Sequence, residues 1–319
     1  MTIGELYRGA IEVGMDADMR GRDALQEHMD RLGGEYESMS ERDRRLFDPE
    51  RLTNPFGDTR IAYGDPDTQL NRVLIGIDIG SAEVLLAAEL ARRGKPVDLV
   101  ISHHNSAIGR GRGSTYDTAI PQVAMAVEAG VPEARARKYV MEIINRIGEC
   151  SWNLNVTQVA EALEIPLMTI HSPSDACVHQ LIRTQITEQQ PETVGEVAEM
   201  IEAWAECQML IEAARHAPSV CIGDPRAPVG KFYSCRYGGW GPTAEFFEEL
   251  CKAGVSTFIC VGGTDTYREI ANRYGASVVM IPHYPGDNIG INIMLDRIMP
   301  EGDAFDIVET SNYMRYRHA

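Results

Sequence analysis

RVLIGIDIGSAEVLLAAELARRGKPVDLVISHHN, residues 72–105, alternates apolar runs with a helical segment. RVLIGIDIG is a short apolar run closed by a glycine, the pattern of a strand buried on both faces. SAEVLLAAELARRG then has helical character, with Ser81 placed to cap its start and Gly94 just past its last turn. VDLVISHHN is a second apolar strand that runs straight into polar residues. Strand, helix, strand within about 30 residues is a βαβ unit, and such a unit implies a parallel sheet. The strand ends near Asp78 and His103 then share one carboxyl edge, where ligand sites of open α/β sheets form.

The same alternation continues outward. Helical patterns occupy 119–148 and 156–163 and precede the short strand PLMTIH; ACVHQLIRTQI and residues 194–215 are helical again. SVCIGD and KFYSCRYGG read as strands, and PTAEFFEELCKAGV as a helix with Pro242 near its first position and Gly254 at its end. TFICVGG, DTYREIANRYG and SVVMIPH complete a further β-α-β run. GRGRGST, 109–115, reads as a loop, and 1–70 as two short helices with a proline-punctuated connection. No internal repeat stands out. The class is α/β, with two α/β layers and mostly parallel sheets, or one sheet with a large insertion, and a site in the cleft at the strand carboxyl ends. The expected division is an N-terminal helical extension, 1–58, a site-bearing domain, 59–190 plus 276–319, and an inserted α/β domain, 191–275.

Composition narrows the function. The 319 residues are 44% hydrophobic and 24% charged, ordinary globular usage that excludes a disordered or fibrous chain. Thirty basic against 47 acidic residues give a net charge of −17. Such a surface repels phosphate backbones, so non-specific nucleic-acid binding and anionic membranes are excluded as partners. No run reaches the ~18 apolar residues of a spanning helix, and the acidic start does not read as a signal peptide. A soluble, cytoplasmic protein is expected. The seven cysteines are scattered without a C-x-x-C pair, which reads as reduced core thiols.

Three places could carry chemistry. His103 and His104 end a buried strand, where imidazoles are natural ligands for a divalent transition metal. The alternative is two unrelated histidines capping a strand. His171-Ser-Pro-Ser-Asp175 again follows a short apolar strand; Asp175 could bind or bridge a metal, or Ser174 or Asp175 could simply cap the next helix. His179, one helical turn on, is a ligand or a packed side chain. His283-Tyr-Pro-Gly-Asp287 follows the same template, and Pro285 and Gly286 read as a turn that folds Asp287 back towards His283. Taken together, three nitrogens and two carboxylates are too few for two closed structural zinc sites. They suit two metals that share a carboxylate and keep positions open for water. Asp78 reads as an outer hydrogen-bonding partner of the ligands, or as a helix cap. Gly238-Gly239 and Gly262-Gly263 read as tight turns. No G-x-S-x-G or Cys-His signature supports nucleophilic catalysis.

At these residues the sequence resembles the Nif-three-like dinuclear-metal proteins, also labelled GTP cyclohydrolase I type 2-like. Ser102-His103-His104-Asn105 matches three positions of the family's S-H-H-P. His171 to Asp175 keeps both ends of H-T-N-L-D, and Pro282 to Asp287 aligns with G-H-Y-x-x-E. Thr59 to Asp65 is a loose echo of an upstream family segment. The resemblance covers 59–108 and 160–299 and leaves 1–55 unmatched. Asp287 stands where the family has glutamate, one methylene longer, and Asn105 replaces the proline.

The resemblance implies that His103, His104, Asp175, His283 and Asp287 ligate two divalent ions, the acids being candidates to bridge them, and that His171 lines the site. Zn, Mn, Fe, Co and Ni all suit such donors. It implies a metal-dependent hydrolase with a small-molecule substrate, and a homohexamer. Arg110 and Arg112, just past the histidines, are the candidate holders of an anionic substrate group. The rival reading is a non-catalytic metal-binding scaffold or regulatory interaction protein.

Overall fold

The computed structural model describes residues 1–104, 112–148 and 154–318, with the backbone alone for 112–114 and 146–148. In chain order the helices are α1 (Ile3–Ala17), α2 (Arg22–Ser38), α3 (Glu41–Leu46), α4 (Ser81–Arg92), α5 (Arg112–Ala119), α6 (Pro121–Glu128) and α7 (Glu133–Gly148). They continue as α8 (Asn155–Ala162), α9 (Ser172–Gln189), α10 (Val194–Glu202), α11 (Ala205–Ala214), α12 (Ala244–Lys252), α13 (Asp265–Tyr274) and α14 (His283–Ile298). The strands are β1 (Arg60–Tyr63), β2 (Arg72–Gly76), β3 (Leu99–Ser102), β4 (Leu167–Thr169), β5 (Ser219–Ile222), β6 (Lys231–Ser234), β7 (Val255–Cys260), β8 (Ser277–Met280) and β9 (Asp306–Thr310).

The chain divides into two compact units, 1–118 with 144–174 and 291–319, and 119–143 with 175–290. The first holds a five-stranded sheet in the order β1-β4-β3-β2-β9, the second a four-stranded sheet in the order β5-β8-β7-β6. Every pairing is parallel except β1 with β4 and β5 with β8. The α/β class with two mostly parallel sheets is therefore as the βαβ pattern requires. No helix among the described residues is long and apolar enough to cross a membrane.

The two sheets share one topology that the sequence concealed. The first four strands of each follow the same order, β1-β4-β3-β2 and β5-β8-β7-β6, with an antiparallel edge strand leading in and pairing with the third parallel strand; the first sheet adds β9, parallel to β2. The third parallel strand is followed in each case by a helix carrying H-x-P-x-D at or just before its start, His171–Asp175 and His283–Asp287. Five-residue motifs with three shared positions are too sparse to register as a repeat; the strand order makes it visible.

Each unit buries its own core. In the first, Leu74, Val100 and Leu167 from three strands meet Val84 and Ala87 of α4 and Ala160 of α8, all fully or almost fully buried. Complete burial of such a side chain stabilises by about 1.5–3 kcal/mol. In the second, the Phe247 ring stacks on Phe258 and on Tyr267, with centroids 4.0 and 4.4 Å apart.

Several local expectations are corrected. The N-terminal helices are long, because Thr2 and Glu5 form a capping box on α1 and Leu25, Met29 and Leu32 bury one face of α2 across Gly33 and Gly34. Gly80, whose N–H donates to Glu83 Oε2 at 2.7 Å, caps α4 in place of Ser81. Thr243 caps α12, and Pro242 lies two residues before its first residue, Ala244. From Arg112 the expected loop is helix α5, anchored by the forked pair of Arg51 with the buried Asp117 at 2.5 and 2.9 Å. The 194–215 helix breaks at Trp204, whose indole is buried and donates to Gln185 at 2.8 Å. The expected turn at His283–Asp287 is the first turn of α14, since a proline at the third helical position forfeits only an N–H that has no partner in a helix anyway. Cys235 and Cys260 form a disulfide, correcting the reading of reduced thiols for that pair. They stand at the ends of adjacent strands, which a separation of 25 residues hid. Gly238 and Gly239 take positive φ, +98° and +76°, within a bend of the chain.

Two glycine substitutions test this packing with opposite signs. A Cβ on Gly14 would sit 2.8 Å from both Phe56 and Pro173, the latter in the first turn of α9. Gly14→Ala should cost about 1–3 kcal/mol, lowering Tm by several degrees. Gly33→Ala meets nothing within 4 Å. It should raise stability by ~0.5–1 kcal/mol. Thermal unfolding followed by circular dichroism reads both; equal effects would contradict the packing described.

Candidate metal-binding residues

Register builds the first cluster. Gly76, Ser102 and Thr169 stand level across the parallel strands β2, β3 and β4. The ladder runs on briefly, with His103 N donating to Gly76 O at 3.0 Å and His104 N to Ile77 O at 2.8 Å. Beyond it the chain bends, so two residues that would point to opposite faces of a strand bring their rings to a centroid distance of 4.8 Å. His171, just past β4, lies 4.7 Å from the His103 ring and 5.8 Å from that of His104. One nitrogen from each of the three falls within 4.8 Å of the others.

Each imidazole is held by an oxygen at Nδ1. His103 Nδ1 donates to Ile170 O at 3.1 Å, His104 Nδ1 to Asp78 Oδ1 at 2.7 Å, and His171 Nδ1 to Asp58 Oδ2 at 2.8 Å. Those acceptors assign the proton to Nδ1 and make Nε2 the basic nitrogen on every ring, the arrangement that orients metal-binding histidines. Ser174 Oγ lies 3.2 Å from His103 Nδ1 and donates to His171 O at 2.7 Å. The donor set fits a divalent metal ion.

Asp58 was not singled out by sequence. It lies two residues before Arg60 and His171 two after Thr169, and those two are antiparallel partners in β1 and β4, so the ladder itself sets the pair face to face. The carboxylate also accepts from Ser172 N at 3.2 Å and Ser172 Oγ at 2.7 Å. Burial pushes its pKa up, but the His171 charge, the His171 hydrogen bond and the two Ser172 bonds outweigh that and hold it at about 2. Asp78, read as a hydrogen-bonding partner or a helix cap, bonds His104, while Gly80 stands at the start of α4.

In the second unit the acids are the buried groups. Asp287 is almost fully buried and Asp175 nearly so, while His283 is about half exposed. His283 and Asp287 face each other one helical turn apart on α14, Nε2 to Oδ2 3.6 Å. Arg236, two residues past β6, pairs with Asp287 Oδ1. Burial opposes its charge, but Asp287 and then Asp175 raise its pKa. Sequence reasoning missed Arg236, for which a lone arginine after a strand gives no signal. His179 is buried against the Tyr237 ring at 5.9 Å. Arg110 lies outside the described residues, and Arg112 opens α5 with only its backbone described.

No family model matches the sequence, and no curated relative does. Solved structures do. A NIF3 superfamily protein from Sphaerobacter thermophilus matches with a TM-score of 0.66 at 24% identity, over 80% of this chain and 91% of that one. Reduced HcgD from Methanocaldococcus jannaschii gives 0.48 at 12% identity over 88% and 97%. A Bacillus cereus protein related to NIF3 gives 0.41 at 11% over 88% and 95%. The likeness to the first supports, at the level of the fold, the resemblance read from the three motifs.

The Asp58–His171 pair has a pH signature. The folded carboxyl titrates at about 2. An unfolded aspartate titrates near ~3.9, so the stabilisation is complete above that value and is lost as pH falls through the folded one. Asp58→Asn should lower Tm at neutral pH and flatten the acid limb of the Tm–pH curve between about pH 4 and 2. Parallel acid limbs for the two proteins would contradict the pairing.

Proposed function

We propose, from the premise that this chain has the fold of a NIF3 superfamily protein, that it is a cytoplasmic metal-dependent hydrolase holding two divalent ions. The ligand set is His103, His104, Asp175, His283 and Asp287, with His171 lining it. The observation that carries the reading is the set of three histidines each anchored at Nδ1 by an oxygen, which prepares Nε2 as the metal-facing donor. Asp175 enters by chain continuity, as the residue after Ser174, whose hydroxyl touches His103. Zn, Mn, Fe, Co and Ni all suit this mixture of imidazole and carboxylate.

When bound, two such ions would polarise a scissile bond and lower the pKa of water. The chain's own part is to fix the imidazoles at Nδ1, and Arg110 and Arg112, close to the histidines in sequence, are the candidates to meet an anionic substrate group. No P-loop is present, so a triphosphate would depend on those arginines and the ions. The GTP cyclohydrolase-like label remains one substrate class within this reading, and a homohexamer its assembly.

Metal content by plasma emission tests the ligand set. The purified wild-type chain should carry about two ions, and Asp175→Ala should lose one or both, since a bridging carboxylate offsets the repulsion between cations. His283→Ala should lose one, and His179→Ala none. Full occupancy in Asp175→Ala would remove this ligand set. Turnover separates enzyme from scaffold: loaded protein hydrolysing a nucleotide, phosphodiester, ester or cyclic amide should lose at least ~100-fold in His104→Ala with folding intact. Inactivity with every metal and substrate class, alongside strong destabilisation by chelator, is the scaffold's result.

A further inference from the structure

The shared topology of the two sheets makes a comparison of positions possible. Asp78 stands two residues past β2 and Arg236 two residues past β6, and these are corresponding strands. Asp78 orients His104 by accepting from its Nδ1 at 2.7 Å. Arg236, at the matching place, grips Asp287 Oδ1. The first unit thus presents imidazoles backed by carboxylates, and the second a carboxylate backed by a guanidinium.

The local structure is built around that guanidinium. It is 5% exposed, and a charge so buried needs a counter-charge. Asp287, 1% exposed, supplies it directly, and Asp175 adds its field. Gly286 provides the room. A Cβ there would fall 3.2 Å from both Cζ and Nε of Arg236 and 3.1 Å from Ile281. A larger residue at 286 would displace the arginine. Asp287 carries one methylene less than glutamate, and its Oδ1 goes to Arg236 while Oδ2 stands 3.6 Å from His283 Nε2.

We propose that Arg236 sets the strength of one of the two metal positions: by keeping Oδ1 of Asp287, it makes the ion held by His283 and Asp287 the weaker and exchangeable one. This rests on the metal reading given above. A cation approaching this carboxylate competes with a resident positive charge for one oxygen and is repelled by that charge at short range. At the position backed by Asp78 and Asp58, carboxylates stand behind two of the imidazoles, so the charge next to those donors is negative. Arg236 is therefore a positioning residue that acts through Asp287.

Titration of the chelator-treated full chain with Zn²⁺, against a chromogenic competing chelator, tests this. The wild type should show two classes of site, the second at least tenfold weaker. Arg236→Gln should tighten the weaker class tenfold or more and leave the tighter one unchanged. In the Asp287→Asn background the weaker class should vanish, and adding Arg236→Gln should change nothing further, because Arg236 acts only through that carboxylate. Should Arg236→Gln fail to fold, Arg236→Lys, which keeps the charge but loses the fork, should tighten the weaker class partway. Two equally tight ions in the wild type, or an unchanged second class in the folded arginine variant, overturns the proposal while the metal reading stands. No zinc bound by any of these chains removes both.

Discussion

Gly76, Ser102 and Thr169 stand level across three parallel strands, and the chemistry of the first unit begins one or two residues beyond each of them. Parallel pairing is what makes this possible, since it sends every strand's carboxyl end to one edge. From that edge come Asp78 after β2, the two histidines after β3 and His171 after β4. The antiparallel lead-in strand adds Asp58 opposite His171. Three oxygen acceptors then fix three imidazoles, so the orientation of the donors is a consequence of strand register and needs no bound ion to establish it.

The second sheet repeats the strand order of the first without its β9 and inverts the charge. Its helix α14 opens with the H-x-P-x-D motif that also introduces α9, and its acid is buried and matched by an arginine. Burial of Asp287 and Arg236 as a pair avoids the several-kcal/mol penalty of either alone. The fold can therefore form with Asp287 matched by a buried counter-charge. The same pairing bears on how strongly a cation can hold that acid.

Much of this was legible in the chain. The runs around 72–105 and 257–283 have strand and helix periods too clear to mistake, and the glycines at 94 and 254 mark helix ends. His103, His104 and His171 were legible because polar residues directly after a buried strand have few structural duties there. What escaped is what depends on long-range pairing. Asp58 matters only because β1 runs antiparallel to β4, Arg236 only because Gly286 clears a space for it, and Cys235 meets Cys260 only through β6 and β7. Trp204 breaks a helix whose local pattern is unbroken, because burying its indole against Gln185 outweighs continuing the turn. Pro285 and Gly286, read as a turn, lie inside α14 because the first turn of a helix tolerates both.

Imidazoles fixed at Nδ1 leave Nε2 as the nitrogen to meet a metal ion. A crystal of the zinc-loaded chain, with anomalous diffraction measured on both sides of the zinc edge, tests it most directly. The expected result is a zinc peak about 2.0–2.1 Å from Nε2 of His103 or His104, with Asp78 still on the Nδ1 of His104. An anomalous map without a peak at either histidine, or zinc bound to Nδ1 with Asp78 and Ile170 displaced, would contradict it.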